Sequence, residues 1–230
     1  MNLKRMTALF LTAVAGAGCD PSPVPASTVV RLQGRAVGSG DLVWMLNPSG
    51  TADRTAPVEA GGRYEFAWTG ADLTGFWGER TFYLKYPAQA GRGDAFVTTE
   101  SFVLRRDMEA PLLAVWNPQV EAARTPEGGL RVRFDEVRGA DFLPIRRYIL
   151  RIRYHRTHVD ANGRKCEEEA EAVREIRAGE TVIRGAELDT MLAGRSREEV
   201  RIGVEAMGQG EGLALTYHAA GMTVEFPVKQ

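Results

Sequence analysis

Three histidines, one interior cysteine and a run of arginines are the residues best equipped for chemistry in this 230-residue chain. His155 and His158 form an H-x-x-H pair. On a helix that spacing would bring both imidazoles to one face, where they could share a metal ion. On a strand, an offset of three sends them to opposite faces. His155 lies at the end of an alternating apolar segment, so a strand is predicted and a metal pair is not. The stretch His158-x-Asp160-x-Asn162-Gly163-x5-Glu169 has the ligand spacing of a calcium loop. Its first position is a histidine where an oxygen donor is needed, and Arg164 and Lys165 add two cations that oppose a dication. A tight hairpin turn at Asn162-Gly163 is expected there instead. No metal and no cofactor is expected.

Arg146, Arg147, Arg151, Arg153 and Arg156 form a local basic run. On a strand, Arg147, Arg151 and Arg153 share one face, and Glu199, Arg201 and Glu205 share one face of a later strand. If the two strands are neighbours, cross-strand charge pairs account for the arginines. The same three arginines are also candidate contacts for an anionic partner. Phe76-Trp77, in Gly75-Phe76-Trp77-Gly78 between two strands, is the other candidate contact, able to stack on a sugar or a protein, or to fold back and plug the end of a sandwich. Arg92-Gly93-Asp94 is the integrin tripeptide, a match short enough to arise by chance. No nucleophile elbow, phosphate-cradling glycine loop, H-E-x-x-H pair or dinucleotide fingerprint occurs, so no catalytic residue is predicted.

Composition narrows the class. Lys and Arg total 29 against 30 Asp and Glu, and the net charge of −1 argues against a dedicated nucleic-acid binder. Two cysteines, Cys19 and Cys166, cannot build a disulfide framework or a four-cysteine zinc site. Glycines (25) and prolines (11) are spread along the chain, which favours strands and turns over long helices.

The N-terminus reads as an address. Lys4 and Arg5 precede an apolar run, Met6 to Val14, too short to span a bilayer; Ala15, Gly16, Ala17, Gly18 and Cys19 follow. This resembles a bacterial lipoprotein signal. The resemblance implies removal of residues 1–18, acylation of Cys19 (palmitate among the acyl chains) and attachment to a bacterial membrane of the cell envelope, the outer membrane favoured. Ordinary secretion, with Ala15 and Ala17 as the small residues before a cut, is the other reading. Residues 19–28, rich in proline, would form an extended tether.

Beyond the tether the elements needed to position these side chains are strands. Val29–Val37, Asp41–Leu46, Arg63–Trp68, Thr81–Tyr86 and Ala95–Arg105 read as strands in the first half, with Tyr64, Phe66 and Trp68 facing a core and Trp44 also assigned to it. Gly62-Arg63-Tyr64-Glu65-Phe66 and Thr81-Phe82-Tyr83-Leu84 resemble the transthyretin-like or carboxypeptidase-regulatory-like sandwich, over residues 29–108. In the second half, Leu130–Asp135, Tyr148–Tyr154, Thr181–Gly185, Val200–Ala206 and Met222–Phe226 read as strands. Leu130–Phe134, Tyr148–Tyr154 and Ile202-Gly203-Val204-Glu205-Ala206 resemble strands of a fibronectin type III domain, over residues 111–230. Val200 stands where that family's corner tyrosine belongs. Asp160–Ala178 is expected to be a loop followed by an irregular acidic segment, with a strand near Ala172–Arg177; a short helix is the alternative.

The expectation is therefore an all-β chain of two tandem β-sandwich, immunoglobulin-like domains behind a signal peptide and tether. Its expected role is a lipid-anchored binding or scaffolding module without catalysis, with an envelope protein or a glycan as partner. A carbohydrate-binding module of the cell wall or exopolysaccharide is the alternative.

Overall fold

Tyr64, Phe66 and Trp68 are buried while Arg63, Glu65 and Ala67 between them are exposed, so period-two alternation here makes a strand with one dry face. The same rule recurs along the chain in a computed structural model that describes residues 25–75, 78–91, 93–159, 162–192 and 199–226. The first half runs β1 (Val29–Val37), β2 (Leu42–Leu46), β3 (Ala52–Pro57), β4 (Arg63–Thr69), a one-turn helix α1 (Gly70–Leu73), β5 (Thr74–Gly75), β6 (Gly78–Glu79), β7 (Thr81–Tyr86), β8 (Phe96–Thr99), β9 (Phe102–Val103), β10 (Met108–Glu109) and β11 (Leu113–Ala114). The second half runs β12 (Glu121–Arg124), β13 (Leu130–Phe134), β14 (Ile145–Val159), β15 (Lys165–Ile176), β16 (Gly179–Ile183), α2 (Gly185–Met191), β17 (Glu199–Gly208), β18 (Leu215–His218) and β19 (Met222–Glu225). The fold is all-β and sandwich-like. No helix among the described residues is long and apolar enough to cross a membrane.

In the first half, β1 pairs antiparallel with β4 and parallel with β10 and β11. The facing layer is β3-β2-β7-β8. Trp68 of β4 meets Phe82 of β7 at a ring distance of 6.0 Å, closing the core between the layers. In the second half, β12-β13-β16 form one layer, and β15-β14-β17-β18 form the other, with β19 also on β17. Phe134 of β13 packs on Tyr148 of β14 at 5.3 Å, and Trp116 lies edge-on to Phe134 at 6.0 Å.

Strand pairing joins the two halves. β18 pairs antiparallel with β8, so the two inner layers merge into one ten-stranded sheet in the order β15-β14-β17-β18-β8-β7-β2-β3, with β19 also on β17 and β9 on β7. The divide expected between residues 108 and 111 is also crossed by β1, whose parallel partners β10 and β11 lie on either side of Pro111. Each half leaves an edge strand with unmade backbone hydrogen bonds, and pairing edge to edge satisfies both.

Three further expectations are corrected. Lys165–Ile176 is strand throughout, neither loop nor helix, in continuous register with β14 from Tyr148↔Ile176 to Val159↔Lys165. Its helix-forming residues are overruled because that register sets Glu171 opposite Arg153 and buries Ala172 and Ile176. The hairpin expected at Asn162-Gly163 is present between β14 and β15, with Gly163 at φ 80°. Trp44 is half-buried on the outer face, because its neighbours Val43 and Met45 take the core side. Residues after Ile183 form α2 directly, and Val200 is buried in β17.

Candidate functional site

The seam between the halves sets four residues against four: Leu215↔Thr99, Thr216↔Thr98, Tyr217↔Val97 and His218↔Phe96. Alternation sends Val97 and Tyr217 into the core, where both are fully buried. It leaves Phe96, Thr98, Thr216 and His218 on the outer face of the sheet. There the rings of Phe96 and His218 stack with centroids 4.1 Å apart and planes 14° from parallel.

A chain of polar contacts runs from this stack across five strands. Thr98 Oγ1 lies 3.2 Å from His218 Nε2, and His218 Nδ1 lies 3.2 Å from Glu205 Oε1. Both ring nitrogens of His218 are thereby engaged. Arg151 Nε donates to the same Glu205 oxygen at 2.6 Å, and Arg151 Nη1 donates to Glu171 Oε1 at 3.1 Å. Arg153 Nε joins Glu171 Oε1 at 3.0 Å. Burial by itself would raise the Glu205 carboxyl, but hydrogen bonds and charge from His218 and Arg151 outweigh it and hold the group down at about 2. Glu171 is likewise lowered: burial opposes the shift, and its hydrogen bonds to Arg153 and Arg151 prevail.

Arg151, Arg153, Glu205 and His218 of this row line a groove of about 640 Å³ on the outer face at the seam. Gly203 helps to line it, and a Cβ there would come no nearer than 4.0 Å to another atom, that atom being Arg151 Cβ. Ala90, Gly91, Gly93 and Asp94 form another wall, where Asp94 Oδ2 accepts from Gly91 N at 2.8 Å. Gly221 N donates to Gly93 O at 3.1 Å and ties that wall to the second half. Lys85 stands between, its Nζ 5.0 Å from the Phe96 ring centre and donating to Ala90 O at 2.6 Å. Burial pushes the Lys85 amine down, partly offset by the charge of Asp94. Arg201 also lines the groove. The register sets it directly opposite Arg153, and among the described residues no carboxylate pairs with it.

The candidates drawn from sequence are thus dispersed. Arg151 and Arg153 lie in the groove. Arg147 is exposed farther along β14, with its Nε 3.0 Å from Met207 Sδ. Cys19, Phe76 and Trp77 lie outside the described residues, as do the side chains of His155 and His158; β14 does continue through both histidine positions. The expected pairing of β14 with β17 is present, but the acid that serves Arg153 is Glu171 of β15, and Arg201 stands opposite it instead of an acid. Cys166 is a free thiol on β15. Among the described residues no group of three or more His, Cys, Asp or Glu is placed to hold a metal ion. Sequence reasoning left His218 and Phe96 without a role, and no local signal marks them, since they meet only through the seam.

No protein-family model matches the chain, and no curated protein matches it. A solved structure from Bacteroides uniformis ATCC 8492, named as a "putative carbohydrate binding protein", is similar at a TM-score of 0.33 and 11% identity, over 86% of this chain and 99% of that one. A likeness at that level carries no argument about what this chain binds.

Proposed function

We propose that this chain is an exported, lipid-anchored envelope protein acting as a binding or scaffolding module, with the seam groove as its ligand surface. The observation that carries the binding role is the groove itself. Its volume of about 640 Å³ falls within the roughly 300–1,000 Å³ common for ligand sites, and its polar groups converge from both halves of the chain. His218, held by Thr98 at one ring nitrogen and by Glu205 at the other, gives the groove a fixed polar wall. The anchor rests on Lys4, Arg5, the apolar run and Cys19, followed by a proline-rich tether that would give the sandwich reach from a membrane. The pairing of β14 with β17 supports the likeness of the second half to fibronectin type III, and the strand led by Gly62 supports the transthyretin-like resemblance of the first.

Two measurements test this. Intact mass of the protein from its native membrane should show a chain starting at an acylated Cys19, and Cys19→Ser should release it to the soluble fraction. Capture from the same envelope should retain a partner protein or glycan that Gly203→Leu, which fills the groove, no longer retains. A chain retaining Met1 without lipid would overturn the anchor; capture indifferent to Gly203→Leu would overturn the groove as the binding surface.

A further inference from the structure

We infer that the seam groove takes an acidic saccharide, with a sugar carboxylate seated between Arg153 and Arg201. This deepens the binding role proposed above and rests on it. Arg153 and Arg201 are direct cross-strand partners, an arrangement in which like charges repel. Arg153 is relieved by Glu171, whereas Arg201 has no carboxylate among the described residues. A carboxylate placed between two guanidinium groups would remove that repulsion and accept hydrogen bonds from both planar forks.

The rest of the groove selects among anions. Asp94 and Glu205 line it as well, so a polyanion whose backbone carries acceptors only, such as a nucleic acid, would meet repulsion with no donor to offer those acids. A sugar acid carries hydroxyls beside each carboxylate, and hydroxyls donate to carboxylates and accept from cations. Gly203 and Gly221 leave backbone open to such a ligand. An acidic peptide would want an apolar anchor pocket. The obvious ring, Phe96, is already engaged by His218 and Lys85.

The test is calorimetric titration of the full chain with a galacturonate tetramer, a neutral galactose tetramer and a tetraglutamate peptide. The galacturonate tetramer should bind at least tenfold more tightly than either of the others. Arg201→Gln should weaken it tenfold or more with thermal stability retained, since Arg201 is exposed. Gly203→Leu should abolish binding, since the added side chain points into open space. Equal binding of the neutral tetramer, unaffected by Arg201→Gln, would overturn the acidic class and leave the binding module standing. Preference for tetraglutamate would overturn the saccharide and leave the groove. No binding of any probe would overturn this inference, and the envelope capture with Gly203→Leu then decides whether the module itself survives.

Discussion

Phe96 and His218, more than 120 positions apart in the chain, stack face to face at 4.1 Å across the seam where the two halves share one sheet. The pair adds side-chain contact to four residues of backbone pairing, and His218 extends it through Glu205 into β17. An aromatic pair contributes ~0.5–1.5 kcal/mol beyond burial, and a net hydrogen bond about 1 kcal/mol. His218→Ala should therefore destabilise the protein by about 2–3 kcal/mol, lowering the thermal midpoint by roughly 4–12 °C. Calorimetry should show this as an earlier transition, and an unchanged midpoint would mean the seam is held by backbone alone.

Acid stability should report on Glu205. Its folded value of about 2 lies below the ordinary 4.5, so the native state favours the ionised form. Stability from this group is fully present above about pH 4.5 and is lost as pH falls towards about 2. Glu205→Gln should lower stability at neutral pH, because Arg151 loses a close anionic partner, and should flatten the decline between those two values. Urea midpoints measured from pH 2 to 7 check this; parallel curves for the two proteins would contradict it.

The turn into β4 is tightly specified. Gly62 has φ +79°, and a Cβ there would lie 2.4 Å from the carbonyl oxygen of Ala36. Gly61 has a similar φ of +82° but open space around it. Gly62→Ala should cost more than ~2 kcal/mol, and Gly61→Ala only about 1 kcal/mol, the backbone share alone. Chemical denaturation of the two variants separates steric from conformational cost.

Tyr217 is buried at the seam and its hydroxyl accepts from Leu143 N at 2.9 Å. Burial raises its phenol, partly offset by that backbone bond, so it stays a neutral acceptor at ordinary pH. Tyr217→Phe keeps the ring and strands the amide, costing about 1–2 kcal/mol. Hydrogen exchange at Leu143 should quicken, while the amides of β13 keep their protection.

Much of the strand content was legible from alternation alone. β1 and β7 coincide with their expected spans, and Tyr64, Phe66, Trp68, Phe82, Leu84 and Tyr86 all occupy the core. Alternation is local: it tells which residues share a face without saying which face is wet. That is why aromatic bulk misleads at Trp44, where the flanking Val43 and Met45 take the core side. The arginine face of β14 was legible, and so was its neighbour β17. β15 was not, because its alanines and glutamates favour a helix until a partner strand supplies hydrogen bonds and opposite charge.

The amino-acid order by itself determined a strand-rich chain and most of its core faces. Tertiary structure decided that β8 and β18 share a seam, and with it the groove, the Phe96 and His218 stack and the opposed pair of Arg153 and Arg201. The reason is physical: side-chain period is written in neighbouring residues, whereas the choice of edge partner depends on backbone groups that are the same in every residue.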